Sequence, residues 1–222
     1  MLDLRRDGDV FVLTMDAGEN RFNRGFLTLL NDALDEVERS DGPAALVTTG
    51  GSEKFYSNGL DLDWLAGQDD AEAHGFIADV IRLFGRVLGM AVPSVAAING
   101  HAFAGGAMLA LAHDFRVMRA DRGFFCLPEI DLGMPLAAGM SELLRARLWG
   151  NTLRDLVLTG MRVGGSAAAE RGIIDHAEPA DQVLPRAIAL AADLAAKNRK
   201  AYGALKRNLW GDSIDILRRG ML

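Results

Sequence analysis

Asn99-Gly100-His101-Ala102-Phe103-Ala104-Gly105-Gly106-Ala107-Met108 decides how this chain is read. Before it, Pro93 opens an apolar run, Ser94 to Ile98, short enough for a buried strand. Gly100 to Gly106 reads as a turn, and Ala107 to His113 as a small-residue helix. The turn Ala104-Gly105-Gly106-Ala107 therefore runs straight into a helix start, where free N–H groups and the positive dipole end favour an anion. Glycine lets backbone approach closely, so the turn serves equally for tight helix–sheet packing or for holding an oxyanion.

Outward from this stretch the pattern is α/β. Val10 to Met15 is a strand entered by the turn Asp7-Gly8-Asp9. Phe26, Leu29, Leu30, Ala33, Leu34 and Val37 recur at helical spacing, predicting a helix from Phe26 to Arg39. Ala44 to Thr49 is a second buried strand, and this strand–helix–strand order predicts a parallel unit. Residues 66–75 read as a loop, Phe76 to Gly89 as a helix, and Phe115 to Met118 as a strand. Beyond Gly133 the helices Gly139–Leu148, Leu153–Thr159, Ser166–Arg171, Pro185–Lys197 and Tyr202–Trp210 are predicted, with Ser166 as an N-cap and Gly172 to Asp175 extended. No repeat or linker divides the chain, so 1–222 is read as one domain: a core of about 1–135 and a helical region of about 136–222.

The 222 residues suffice for a sizeable core, and the formal charge of −6 argues against nucleic acid or an anionic membrane as partner. The single cysteine, Cys126, excludes an internal disulfide and suits a reducing compartment. It fits a buried thiol or a nucleophile, but no base motif accompanies it. Met1-Leu2-Asp3-Leu4-Arg5-Arg6 is not followed by an apolar signal segment, and Val92 to Ile98 is too short to span a membrane. A cytoplasmic protein is expected.

Three segments together carry a resemblance. They are Phe55-Tyr56-Ser57-Asn58-Gly59-Leu60-Asp61-Leu62, the glycine turn above, and Leu127-Pro128-Glu129-Ile130-Asp131-Leu132-Gly133. The chain resembles the crotonase, or enoyl-CoA hydratase/isomerase, family over nearly its whole length. With Asp63-Trp64 and Ala112-His113-Asp114 added, it is most similar to the short, plant-type Δ3,Δ2-enoyl-CoA isomerases. The resemblance implies a crotonase-like ββα spiral, with a helical C-terminal region that assembles homotrimers or hexamers.

It also implies roles. Family hydratases carry two catalytic glutamates; here the first position is Met108 and only the second, Glu129, remains. A thioether cannot exchange a proton, so a one-base isomerase is expected, with Glu129 catalytic. The N–H groups of Leu60 and Gly105 would hold the thioester oxygen. Asn58, Gly59, Asp61, Gly106 and Met108 would border the acyl-CoA, while Arg21, Arg24, Lys206 and Arg207 are the candidates to meet coenzyme A, with Lys54 a further one. Coenzyme A enters only as part of the substrate; no metal or separate cofactor is implied. Apolar neighbours of Glu129 (Phe124, Phe125, Leu127, Ile130, Leu132, Met134) would desolvate it and strengthen it as a base.

Alternatives stay open on residues alone. Asp61 fits an N-cap as well as an acid, and Asp61, Asp131 or Glu142 would supply a second carboxylate to a hydratase. His101 and His113 fit structural roles or proton transfer. Trp64, Leu65, Phe84, Met134 and Leu136 are candidate walls for the acyl chain. A catalytically silent acyl-CoA-binding protein would have Glu129 turned away or locked in an ion pair.

Overall fold

The computed structural model describes all 222 residues. Its main sheet has the order β1 (Leu2–Asp7), β2 (Val10–Met15), β3 (Ala45–Gly50), β5 (Ser94–Ile98), β7 (Phe115–Arg119), β9 (His176–Glu178). β1 and β2 form an antiparallel hairpin; every other neighbour is parallel. A smaller parallel sheet orders β4 (Phe55–Ser57), β6 (His101–Phe103) and β8 (Phe125–Cys126). Successive turns of chain thus add one strand to each sheet, which is a spiral of ββα units.

Alternation along the main strands explains two cores. Phe11, Leu13, Met15, Leu46, Ala96, Ile98 and Met118 face the spiral interior. Val10, Val12, Ala45, Val47, Val95, Ala97 and Val117 face the other way and are covered by helix α8 (Val183–Ala195). That helix offers Val183, Ala187, Ala191 and Ala195, one residue every four, so it lies close to the sheet.

Helix α1 (Arg24–Arg39) buries the predicted face through Phe26, Leu30, Leu34 and Val37; Leu29 is left exposed. Its N-cap is Asn23, which accepts from the Phe26 N–H. The expected loop 66–75 is largely wrong. α2 (Leu62–Ala66) precedes it, and α3 (Asp70–Gly89) begins six residues before Phe76, capped by Asp69. Asp70 and Glu72 sit in its first turn, where acidic groups complement the dipole. The expected Gly100–Gly106 turn is interrupted by β6, and α4 (Gly105–Ala112) starts two residues earlier than predicted.

The C-terminal region holds α5 (Ala138–Arg147), α6 (Gly150–Thr159), α7 (Gly165–Glu170), α8 and α9 (Arg199–Arg218). It is not wholly helical, because β9 extends the main sheet; the extended piece falls at His176–Glu178 rather than Gly172–Asp175. Ser166 is not an N-cap: Gly164 holds that position without a side-chain bond. Gly165 is required there, since a Cβ would lie 2.2 Å from the Arg119 carbonyl oxygen. α9 packs along α3 and kinks at Trp210, whose ring lies 4.6 Å from the Arg147 guanidinium carbon.

Candidate active site

Two loops meet where the small sheet ends. After β4, Gly59 adopts φ +78°, and after β6, Ala104 adopts φ +49° as N-cap of α4. The approach is close enough to exclude side chains. A Cβ on Gly59 would lie 2.9 Å from the Gly105 nitrogen, and one on Gly106 would lie 2.3 Å from the Ser57 oxygen. The turn lacks room for any residue but glycine at these points.

A third segment locks the first loop. Asn58 N–H donates to Glu19 O (2.9 Å), Phe22 N–H to Gly59 O (2.7 Å) and Asp61 N–H to Phe22 O (2.9 Å). The pattern skips Leu60, whose N–H donates to no backbone oxygen. The Gly105 N–H opens α4 and has no acceptor within its helix. Leu60 and Gly105 both line one cavity of about 750 Å³.

Glu129 lines the same cavity, on a 3-10 turn (Pro128–Ile130) directly after β8. Its Oε2 is buried without a hydrogen-bond partner, and it forms no ion pair. Burial pushes its pKa above the usual glutamate value, a shift opposed by a backbone hydrogen bond. Met108 lines the cavity too, as expected, and is fully buried.

The other site residues sort clearly. Arg21 and Asn58 reach the cavity; Arg21 pairs with Glu19 (2.6 Å) and Asp63 (3.5 Å), and Asn58 donates to Glu19 (2.9 Å). Asp61 is an N-cap, accepting from the Trp64 N–H of α2 at 3.2 Å. Arg24 lies away from the cavity, held by Glu72 (2.6 Å) and Asp79 (2.5 Å) and set over the Phe76 ring. Lys206 is buried elsewhere, 2.7 Å from Asp114, whose carboxylate also accepts from Ser94 and Tyr202. Arg207 pairs with Asp215, and Lys54 lies over Phe55. None of these four faces the cavity.

Asp131 is exposed and Glu142 is bound to Ser213 and Arg145, so neither provides a second carboxylate here. Asp63 borders the cavity, but its side chain is 94% exposed at the mouth. His113 is wholly buried between Thr48 (3.0 Å) and the Leu109 carbonyl (2.8 Å), and burial depresses its pKa to about 4. His101 packs among Phe55, Phe103 and Phe124. The Cys126 thiol is buried, its pKa raised to about 11 by desolvation, so it is no ready nucleophile. Of the candidate acyl walls, Met134 and Leu136 line the cavity; Trp64, Leu65 and Phe84 pack elsewhere. Ile77 of α3, Leu132 and Pro135 of the segment before α5, Met140 of α5 and the C-terminal Leu222 also line it and were not anticipated as its walls. No group of three or more His, Cys, Asp or Glu side chains is placed to hold a metal ion.

Two N–H groups on one cavity, a half-buried carboxylate with one unpaired oxygen and mostly apolar walls make a site that can stabilise an enolate and move a proton. The enoyl-CoA hydratase/isomerase family profile matches residues 5–219. Enoyl-CoA delta isomerase 3 of Arabidopsis thaliana is 33% identical over 95% of this chain and 92% of its own length. Enoyl-CoA delta isomerase 2, peroxisomal, of the same plant is 32% identical over 98% and 95%. The crystal structure of a probable enoyl-CoA hydratase from Mycobacterium tuberculosis H37Rv is 28% identical, with TM-score 0.92 over 99% of this chain and 92% of that one. The chain belongs to the enoyl-CoA hydratase/isomerase family, and its fold is the crotonase fold. No helix is long and apolar enough to cross a membrane.

Proposed function

We propose that this protein is a Δ3,Δ2-enoyl-CoA isomerase with Glu129 as its single acid–base group. The observation that carries the reading is that half-buried Glu129 lines the cavity with its Oε2 buried and unpaired, while Met108 occupies the neighbouring wall. A base that removes a proton at one carbon and returns it two carbons away must be free to turn. An ion-paired carboxylate would not be, and Glu129 has no such tether.

The reaction follows from these groups. Glu129 takes the C2 proton of a 3-enoyl-CoA. The C2–H electron pair becomes the C1–C2 π bond of a dienolate, and the carbonyl π pair moves onto the thioester oxygen. The N–H groups of Leu60 and Gly105 donate to that oxygen; removing one such donor typically costs ~3 kcal/mol of transition-state stabilisation. The C3–C4 π pair of the dienolate then takes the proton of the carboxylic acid at C4, the C1–C2 π pair moves between C2 and C3, and the oxygen pair restores the carbonyl. Glu129 ends as it began, so no other proton donor is needed. Arg21 and Asn58 stand at the mouth, where the coenzyme A portion would leave the cavity.

Hydration requires a second group to place and split a water. Asp63, exposed and beside Arg21, is the remaining carboxylate on the cavity and is poorly set for that task. The test compares wild type with Glu129→Gln on 3-hexenoyl-CoA, following the conjugated thioester by absorbance, with hydration of 2-hexenoyl-CoA assayed in parallel. Isomerisation abolished in the variant, with little hydration in either protein, supports the reading. Strong hydration by wild type would reassign it as a hydratase, and binding without turnover would make it an acyl-CoA-binding protein.

A further inference from the structure

Helix α4 begins at Gly105 on the cavity, and its other end is gripped by side chains. The last carbonyls of a helix have no partner within it. Arg147, from α5, donates from Nε to the Leu111 oxygen (2.9 Å) and from Nη2 to the His113 (2.9 Å) and Asp114 (2.8 Å) oxygens. Arg116, from β7, donates from Nη1 to the same His113 oxygen (2.9 Å), and the His113 Nδ1–H donates to the Leu109 oxygen (2.8 Å). The Trp210 ring, at the kink of α9, covers the Arg147 guanidinium at 4.6 Å. Arg147 thus ties α5 and α9 to the carbonyl end of α4. No side chain caps the opposite end; there the Ala104 N–H donates to the Cys126 oxygen (3.0 Å).

We propose that Arg147 is a positioning residue that aims the Gly105 N–H at the thioester oxygen from the far end of α4. The inference rests on the isomerase reading, in which Gly105 is a donor. Helical N–H groups lie along the helix axis, so the direction of the axis sets the aim of the first one. Two points fix that direction. They are the Ala104 tie and the Arg147 clamp, ~12 Å apart for eight residues at about 1.5 Å each. Five of the eight side chains of α4 are glycine or alanine, so the helix packs closely but offers few knobs that resist a tilt. Contact with Gly59 bars Gly105 from advancing and does not bar it from drawing back. A lysine at 147 would carry the charge without the planar fork that spans several oxygens. A misplacement of about 1 Å, caused far from the chemistry, costs about 10²-fold in rate.

The experiment measures kcat and KM of the full chain on 3-hexenoyl-CoA in wild type, Arg147→Met, Arg147→Lys, Trp210→Leu and Val47→Ala, with a thermal melt of each. Val47 lies in the other core, beneath α8, so its truncation lowers stability without touching α4. Infrared spectra record the carbonyl stretch of C1-labelled 2-hexenoyl-CoA bound to the same variants in the Glu129→Gln background. Hydrogen bonds to the thioester oxygen lower that stretch. In Arg147→Met, kcat is expected to fall about tenfold or more with KM within about threefold, and the lowering of the stretch to shrink. Arg147→Lys falls between, Trp210→Leu moves the same way by less, and Val47→Ala changes the melting temperature alone. A kcat within about twofold of wild type, or an unmoved stretch, in a folded Arg147 variant overturns the proposal and leaves the isomerase reading intact. An equal fall in Val47→Ala does the same. Should neither Arg147 variant fold, Trp210→Leu decides by the same two readouts. Wild type that lowers the stretch without isomerising defeats the isomerase reading alone, and the stretch in the variants then decides the inference. No isomerisation and no lowering defeat both.

Discussion

Gly59 and Gly105 touch across two loops that are far apart in sequence: a Cβ built on Gly59 would lie 2.9 Å from the Gly105 nitrogen. The N–H groups of Leu60 and Gly105, the proposed donors, are therefore spaced by backbone contact and not by side chains. Gly59→Ala would force the loops apart and would also place alanine at φ +78°. A fall in kcat of about 10²-fold is expected, the scale of losing one oxyanion donor. The check is steady-state kinetics on 3-hexenoyl-CoA beside a thermal melt; unchanged kcat in a folded variant would show that the contact does not set the donors.

Glu129 links activity and stability through pH. Its folded-state pKa is raised, so turnover, which in the proposed mechanism needs the carboxylate, is expected to decline on acidification at a pH above the ordinary glutamate value. The stability effect has the opposite slope. A group with a raised folded pKa favours folding below its unfolded pKa and loses that advantage as pH rises through the folded value. Glu129→Gln should therefore melt higher than wild type near neutral pH, with the gap closing towards pH 4. Each ~1 kcal/mol corresponds to roughly 2–4 °C for a chain of this size. Calorimetry at several pH values reads both.

His113 acts in the other sense. Its folded pKa is depressed to about 4 by burial. Its contribution to folding is complete above the unfolded value of about 6.5 and is lost progressively as pH falls from there towards 4, about 3 kcal/mol in all. Replacing His113 by Gln should flatten the wild-type loss of melting temperature between pH 6.5 and 4. A slope identical to wild type would place the acid sensitivity in other groups.

Met108→Glu would put a second carboxylate on the wall shared with Glu129. A similar chain length makes the change sterically mild, but burying a charge lowers the melting temperature. Measurable hydration of 2-hexenoyl-CoA is expected where wild type shows little. A folded variant with no hydration would mean that this position does not face the reacting carbons.

Arg24 and Lys206 separate binding from structure. Lys206→Met leaves Asp114 without its cation in a buried setting, a change that costs ~3–5 kcal/mol. Arg24→Ala removes part-exposed pairs to Glu72 and Asp79 and should cost about 1 kcal/mol or less. Neither should raise KM for an acyl-CoA, whereas Arg21→Ala should. Urea unfolding and KM measured on the same preparations decide the matter.

Regular hydrophobic periods made most elements legible. Phe26 to Val37 announced α1, and the short apolar runs announced β2, β3, β5 and β7, because these carry a face that must be buried. β1 escaped because Arg5 and Arg6 dilute an exposed edge strand, and β4 and β8 because three and two residues hold no period. The start of α3 carried a readable signal, Asp69 with Glu72 three places on, which is a capping pattern masked by polar composition. The three motifs pointed to Leu60, Gly105, Glu129 and Met108, which do share a cavity. Arg24 and Lys206 were misjudged because a cation's partners, Asp79 or Asp114, lie far along the chain. Ile77, Met140 and Leu222 reach the cavity by tertiary packing that no local pattern encodes.

Every residue of α4, from Gly105 to Ala112, is buried. Binding sites usually sit on the loosest parts of a protein, which open long before the whole molecule does. Here one of the two proposed donors is the first amide of a helix sealed inside the core. On warming, turnover should persist up to the global transition and vanish with it, and the hydrogen-bonded amides of Leu109 to Ala112, deeper in the same helix, should rank among the last to exchange with deuterium.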